Sequence, residues 1–350
     1  MPSAADQLRR ALVAQGGAVR FDEYMAIALY GEDGFYTRTT EVGRAGRRGD
    51  FLTSPEVGPL FGAVIARAID AWWEELGRPH EFTVVDAGAG PGTLARAVLA
   101  AKPACSDALR YVAVEVSAAQ RALHPSGIDS RAEMPTEAFV GVILANELLD
   151  NLPFRLFVFD DSWREAHVGM DGDRYVEVLR ACADVPACLV AGEGQVRHGT
   201  SPQHGARVAV QERAAQWVSE ALGLLQAGRL VAFDYATTTE SMIARPWREW
   251  LRTYAQHGRG AHYLSAPGDQ DITVDVAIDQ LPTPNSVITQ AEFLRAHGCD
   301  MLVEEGRRAW SVAAQQPDVH AMLMRSRVRE AEALLDPLGL GGFSVLEWRR

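Results

Sequence analysis

The sequence predicts an α/β protein with a doubly wound sheet, an N-terminal helical cap and an inserted antiparallel and helical region. Three observations predict it. Phe82 to Val85 is an apolar run that reads as a short buried strand, followed by Gly88, Gly90 and Gly92 in a turn without side chains. From Pro91 to about Lys102, Leu94, Ala97 and Val98 recur at helical spacing. Strand, glycine turn and helix in that order open a nucleotide-binding α/β unit. Third, Tyr111 to Val116 and Val140 to Ala145 read as further strands, the last nearly all apolar, as a central parallel strand covered on both faces must be.

The glycine spacing selects the nucleotide. A dinucleotide fingerprint is G-x-G-x-x-G, with a pyrophosphate on the helix N-terminus. Here the third glycine comes one residue early, at Gly92, and Thr93 stands where the dinucleotide glycine belongs. Asp86 sits two residues before the first glycine. A carboxylate there repels a pyrophosphate and suits a ligand carrying an ammonium and a sulfonium. The pattern D-x-G-x-G-x-G resembles the first motif of class I S-adenosylmethionine (AdoMet) methyltransferases. On this reading Asp86, Gly88, Gly90, Gly92, Thr93 and Leu94 are cofactor-side residues. The competing reading is a glycine-rich turn without a ligand.

Glu115 ends the second strand, 23 residues after Gly92. In a doubly wound sheet that position lies beside the first glycine turn, where a carboxylate can accept both ribose hydroxyls. The fourth strand runs into Asn146-Glu-Leu-Leu-Asp-Asn-Leu-Pro153. Polar residues at the carboxyl end of a central strand face the ligand crevice, so Asn146, Glu147 and Asp150 are the reaction-side candidates, with Asn146 also counted toward the cofactor. Helix capping is the competing role for Asn146. A weak third strand surrounds Ile128, and Asp129 beside it reads as a loop acid within possible reach of an adenine.

Ala4 to Ala14 and Phe21 to Tyr30 read as two helices joined at Gly16-Gly17. After Gly34-Phe-Tyr36 and an Arg- and Gly-rich loop, Thr53 and Glu56 have capping-box spacing. Val57, Leu60, Phe61, Val64, Ile65, Ala68, Ile69, Trp72 and Trp73 then repeat at i, i+3, i+4 and i+7, which predicts a long helix ending at Gly77. Asp50 is not needed to start that helix, and it is assigned with Thr53 to covering the cofactor. Phe154 to Phe159, Trp163 to Gly169 and Tyr175 to Leu179 predict an inserted antiparallel piece. Gln211 to Gln226 predicts a helix, Arg229 to Asp234 a buried strand, and Trp247 to Tyr254 a short helix. Ile288 to His297 and Val319 to Leu335 predict two more helices, and Phe343 to Trp348 a last strand. The loop histidines His198 and His204 lack a metal-like partner set.

At 350 residues the chain has room for one large domain or two smaller ones. Hydrophobic content of 47% and charged content of 23% are ordinary for a soluble globular protein. The net charge of −12 argues against a general nucleic-acid binder, which needs basic surface. The four cysteines, Cys105, Cys182, Cys188 and Cys299, have no zinc-type spacing and suggest a reducing compartment. No apolar run reaches the roughly 20 residues of a membrane span. The first ten residues lack a signal-peptide core, so a cytoplasmic location is the expectation.

Taken together, these segments resemble the MidA family, which includes mitochondrial methyltransferases that assist assembly of respiratory complex I. The matching residues are Gly34-Phe-Tyr36, Gly49-Asp-Phe-Leu-Thr-Ser-Pro-Glu56, Asp86-Ala-Gly-Ala-Gly-Pro-Gly-Thr-Leu94 and Ala145-Asn-Glu-Leu-Leu-Asp-Asn-Leu-Pro153. Further along they are Phe233-Asp-Tyr235, Leu251-Arg-Thr-Tyr254 with His257, Pro267-Gly-Asp-Gln-Asp-Ile-Thr273 and Thr289-Gln-Ala-Glu-Phe-Leu294. The resemblance covers most of the chain. It implies a class I Rossmann-like methyltransferase that uses S-adenosyl-L-methionine and, by analogy with the mitochondrial members, a partner protein presenting an arginine. The chain departs at Asp86, where the family usually has Glu, and at Ala209, where a Glu is expected.

The organisation expected from this is a cap and cofactor-covering segment over residues 1–80, a first half of the AdoMet-binding core over 81–160, inserted strands and loop over 161–210, and the second half of the core over 211–350 with a substrate-side insertion at 240–285. Three other readings remain open at this stage: a small-molecule methyltransferase, an AdoMet-binding assembly chaperone without turnover, and a dinucleotide oxidoreductase, which Asp86 and the early third glycine disfavour. No metal is expected, and the sequence does not set the oligomeric state, a homodimer being one option.

Overall fold

The computed structural model describes residues 3–38, 53–182, 184–190, 202–255, 258–316 and 318–350. Asp50, His198 and His257 lie outside the described residues. The chain divides into two compact units. One takes the described residues of Met1–Glu41, Leu149–Glu220 and Tyr235–Thr283; the other takes those of Val42–Leu148, Ala221–Asp234 and Pro284–Arg350.

The second unit is built on a seven-stranded sheet. Its strands in chain order are β1 (Phe82–Ala87), β2 (Leu109–Val114), β3 (Asp129–Arg131), β4 (Phe139–Asn146), β5 (Leu225–Asp234), β6 (Ser286–Thr289) and β7 (Ser344–Arg349). Across the sheet the order is β6-β7-β5-β4-β1-β2-β3. The five strands from β3 to β5 pair in parallel, while β7 runs antiparallel to both β5 and β6. The order reverses between β1 and β4, so these strands diverge in their connections at their carboxyl ends. That reversal is where a doubly wound sheet opens its ligand crevice. The predicted fold class is the one observed.

The central strands are buried on both faces, which is why they read as unbroken apolar runs. Helices α1 (Pro59–Glu75) and α2 (Thr93–Ala100) cover the sheet with α3 (Gln290–Ala296), α4 (Cys299–Ala313) and α5 (Val319–Leu334). Phe61, Val64, Ile65, Val84, Leu94, Val98, Leu144, Phe233 and Phe293 share one core. Gly62 lets α1 and α2 approach closely: a Cβ on it would lie 2.2 Å from the Ala97 Cβ.

The long helix predicted from Val57 is in fact two. A single turn over Ser54–Val57 stops at Gly58, and α1 starts at Pro59. The capping box is not formed, since the Thr53 side chain makes no cap hydrogen bond. The free first-turn amide of Leu60 is instead taken by the Glu330 carboxylate on α5, at 2.7 Å.

In the other unit, the inserted strands are present as predicted. Arg155–Asp160, Ser162–Asp171 and Arg174–Ala181 form antiparallel neighbours, joined by Ala18–Arg20 and Arg207–Val210. Ala209 is fully buried in the last of these and pairs with Leu156. The helices Ala4–Ala14 and Phe21–Tyr30 belong to the same unit. The predicted helix over Trp247 to Tyr254 is overturned. Only Trp247–Glu249 turns, and Leu251–Ala255 is a strand between Gly258–Arg259 and Asp271–Val274. Trp247, Trp250, Leu251 and Tyr254 have helical spacing, but Trp250 and Leu251 are buried by sheet packing, which outweighs the local pattern.

Candidate active site

β1 ends in Asp86-Ala87, and the chain then turns through Gly88, Gly90 and Gly92 at φ of 75°, 52° and 76°. These left-handed angles are costly for any residue with a Cβ, which accounts for the three glycines. The turn is pinned to β2, because the amides of Gly88 and Ala89 both donate to the Val114 carbonyl, at 2.9 and 3.0 Å. A Cβ built on Gly90 would meet nothing within 4 Å, so the turn opens onto free space there.

Glu115 follows β2 directly and reaches this turn. Its Oε2 accepts from the Gly90 amide at 3.0 Å and its Oε1 from the Ser117 amide at 2.7 Å. Burial raises its pKa, and those backbone hydrogen bonds pull it part of the way back. A carboxylate oxygen can accept more than one hydrogen bond.

Asp86 is 2% exposed, and the Tyr111 hydroxyl on β2 donates to its Oδ2 at 3.0 Å. Burial pushes its pKa up to about 7; the Tyr111 hydrogen bond opposes this and the charge of Glu115 adds to it.

On the far side of the crevice, Ala87 of β1 pairs with Ala145 of β4, so Gly88 and Asn146 continue neighbouring strands. A Cβ on Gly88 would lie 3.3 Å from Leu148 Cδ1, which places the Asn146–Leu148 segment against the glycine turn. Glu147 adopts a left-handed φ of 51°, held by its amide donating to the Phe233 carbonyl at 2.8 Å. A non-glycine residue in that region stores strain of roughly 1–2 kcal/mol, a feature that concentrates at reactive sites. Asn146 Nδ2 donates to Glu147 Oε1 at 3.2 Å, while Asn146 Oδ1 is buried with no hydrogen-bond partner. An orphaned buried acceptor calls for a donor from a bound group.

The remaining sequence candidates fall in different surroundings. Thr93 donates through its hydroxyl to Glu56 and accepts from Arg96 at 3.2 Å. Leu94 is a core residue, which leaves its backbone as the part available to a cofactor. Thr53 is half-buried. Asp129 is ion-paired with Arg110 and Arg131, as a surface acid. Asp150 belongs to the other unit, in the turn Leu149–Asn151, where it is buried and accepts from the Thr273 hydroxyl. Burial raises its pKa to about 6, Thr273 and Arg252 oppose the rise, and Asp275 adds to it. Asp271 lies in the same cluster. It accepts from Tyr36 at 2.9 Å and from Asn151 at 3.2 Å, and burial together with the charge of Asp150 raises its pKa to about 7.

Tyr111 and His124 escaped the sequence reading. Tyr111 looks like any aromatic strand residue, and its pairing with Asp86 is visible only once β1 and β2 are in register. His124 binds the Gly90 carbonyl through Nε2 at 2.9 Å and Ser130 through Nδ1 at 2.8 Å. No local pattern marks it.

The residues present therefore fit a cofactor with an ammonium for Asp86, a diol for Glu115 and a hydrogen-bond donor for Asn146. The comparisons point the same way. A sequence model of the family described as "Putative S-adenosyl-L-methionine-dependent methyltransferase" matches residues 64–298. The chain is 31% identical over 313 residues to "Protein arginine methyltransferase NDUFAF7 homolog, mitochondrial" of Drosophila melanogaster, covering 78% of this chain and 68% of that one. It is 26% identical over 333 residues to the Bos taurus "Protein arginine methyltransferase NDUFAF7, mitochondrial", covering 81% and 71%. A Burkholderia thailandensis protein described as a "likely methyl transferase", crystallised bound to S-adenosyl-homocysteine, has a TM-score of 0.81 at 26% identity over 99% of this chain and 92% of that one. With a family match over most of its length and a structural relative that holds the demethylated cofactor, the chain belongs to the S-adenosyl-L-methionine-dependent methyltransferase family and is an AdoMet-dependent methyltransferase.

Proposed function

We propose that the methyl acceptor is an arginine guanidinium on a partner protein, with Glu147 as the group that orients it. The carrying observation is the similarity to relatives named as protein arginine methyltransferases, at 31% identity over 78% of this chain. The geometry at the end of β4 supports it. Glu147 is a carboxylate in a strained backbone conformation beside the glycine turn, and a carboxylate can receive two parallel guanidinium N–H groups.

Bound AdoMet supplies a methyl group on a positively charged sulfur, which leaves as a neutral thioether. In this proposal Asp86 neutralises the ammonium, Glu115 accepts the ribose hydroxyls, and Asn146 Oδ1 takes a donor. Gly88, Gly90 and Gly92 let backbone approach closely. Glu147 aligns one guanidinium nitrogen with the methyl carbon at a near-attack distance of roughly 3–3.5 Å. As the new C–N bond forms and the methyl carbon's bond to sulfur breaks, the surplus proton leaves that nitrogen, with Glu147 as its proposed acceptor. Its negative charge disfavours early deprotonation of the guanidinium, so proton loss accompanies or follows attack.

The test is transfer of labelled methyl from AdoMet to proteins of a cell lysate by the purified chain, followed by mass spectrometry of the labelled bands. Methylarginine is the expected product. Label confined to small molecules, or to another side chain, rules the arginine reading out.

A further inference from the structure

The unit that contains Asp271 also carries a half-open cavity of about 230 Å³, lined in part by Trp247, Arg248, Arg252, Arg259, His262 and Tyr263. Its wall is strongly cationic in a chain whose net charge is −12. Arg252 is 9% exposed. Its Nη2 lies 2.7 Å from Asp275 Oδ1, and its Nε is buried with no hydrogen-bond partner. The same Asp275 carboxylate also serves Arg245 at 3.3 Å, so one negative charge is shared by two guanidiniums. Glu177, behind the cavity, is already engaged by Arg207 and by the Tyr263 hydroxyl. Among the described residues, Arg248 and Arg259 pair with aromatic faces and with no carboxylate: Arg248 lies 4.2 Å over Trp247, and Arg259 6.0 Å from Tyr254.

Arg252 is offset by Asp275 and by the charge of Asp150, but among the described residues Arg248 and Arg259 pair with no carboxylate, and the buried Arg252 Nε has no hydrogen-bond partner. A planar guanidinium fork matches a carboxylate or phosphate group, and rings beside it cover the ligand's apolar stem. The volume is below the roughly 300–1,000 Å³ of sites for drug-sized ligands, so the ligand is a small one.

We propose that this cavity binds an organic anion of side-chain size through a carboxylate or phosphate group. It stands apart from the acceptor reading above and does not depend on it. The anion has two sources, an acidic side chain of a bound protein or a free small acid, and the experiment separates them.

Isothermal calorimetry on the full chain at low salt uses three probes: a capped Ala-Glu-Glu-Ala peptide, glutarate, and inorganic phosphate. A capped Ala-Gln-Gln-Ala peptide is the neutral control. Saturable binding of at least one anion is expected, weakening as salt rises from 25 to 200 mM. The double variant Arg248→Gln/Arg259→Gln should weaken it at least tenfold, while its unchanged AdoMet affinity shows that the protein is folded. Arg252→Lys, which keeps the charge and loses the fork, should weaken it less. Peptide binding without glutarate or phosphate binding assigns the site to an acidic side chain; equal binding of the free anions assigns it to a small acid. No saturable heat with any anion, equal binding of the glutamine peptide, or an affinity untouched by the double variant overturns the proposal.

Discussion

The Tyr36 hydroxyl donates a 2.9 Å hydrogen bond to Asp271 Oδ1, closing 235 residues of chain. Asn151 Nδ2 reaches the same carboxylate, and Tyr30 donates to the Asn151 carbonyl at 3.1 Å. Three segments that the sequence presents separately, Gly34-Phe-Tyr36, Leu149-Asp-Asn151 and Gln270-Asp-Ile-Thr273, thus meet in one buried polar cluster. Tyr36→Phe removes a donor from a buried carboxyl and should cost about 1–2 kcal/mol. Thermal unfolding should show a fall of a few degrees; an unchanged midpoint would show that the bond contributes nothing.

Asp271 also predicts a pH dependence. Its folded pKa is about 7 against 3.8 in the reference state. Between those values the folded protein holds a proton that the unfolded chain has released, so this group's contribution to stability falls as pH rises from about 4 to 7. Asp271→Asn cannot lose that proton. The midpoint difference between pH 5 and pH 8 should be smaller in the variant than in the parent, and an identical difference would contradict the assignment.

Asp86 makes the same argument about ligand binding. Burial holds its carboxyl at a pKa of about 7 in the free protein. With the AdoMet ammonium on Asp86, as proposed, the bound state favours the carboxylate, and binding near pH 6.5 should release a proton. Affinity should rise with pH below about 7, by up to tenfold per unit. Calorimetry in buffers of different ionisation enthalpy should register the released proton, and buffer-independent heats would remove Asp86 from the ammonium.

Glu115→Ala strips two backbone amides of their acceptor and, in the proposed cofactor site, the ribose diol of its partner. Hydrogen bonds to a charged group are worth about 1.5–3 kcal/mol, so AdoMet affinity should drop roughly ten- to hundredfold. An affinity within twofold of the parent would place the ribose elsewhere.

Glu147→Gln preserves shape and the Asn146 contact but not the charge. Turnover should fall by about a hundredfold or more, the usual scale for a positioned acid–base group, with AdoMet affinity nearly unchanged. Parallel loss of both would reassign Glu147 to the cofactor.

The sheet was legible because its signals are local. β1 and β4 are continuous apolar runs, and three left-handed positions in one turn leave only glycine as a comfortable residue. Asp86, Glu115 and Asn146 follow from those strands by position alone. What escaped depends on distant partners. Tyr111 gains its role from register with β1, and His124 from a carbonyl in the glycine turn. The helix Cys299–Ala313 was missed although Leu302, Val303 and Gly306 share its buried face; it starts at Gly298 in a left-handed conformation, without the polar cap that announces a helix. The strand Leu251–Ala255 is not legible because it is only five residues long, and Trp247, Trp250, Leu251 and Tyr254 carry a helical spacing across it.

The final strand has a consequence for biogenesis. β7 lies between β5 and β6, yet Ser344–Arg349 is the last of the sheet's seven strands to be synthesised. Until then β5, with Leu230, Val231, Ala232 and Phe233 in a row, presents an uncovered ladder of amides and carbonyls on that side. Such a margin recruits strands from other molecules. A chain stalled or clipped before Ser344 should therefore form intermolecular β-structure and depend on chaperones, while a chain that includes β7 seals the margin.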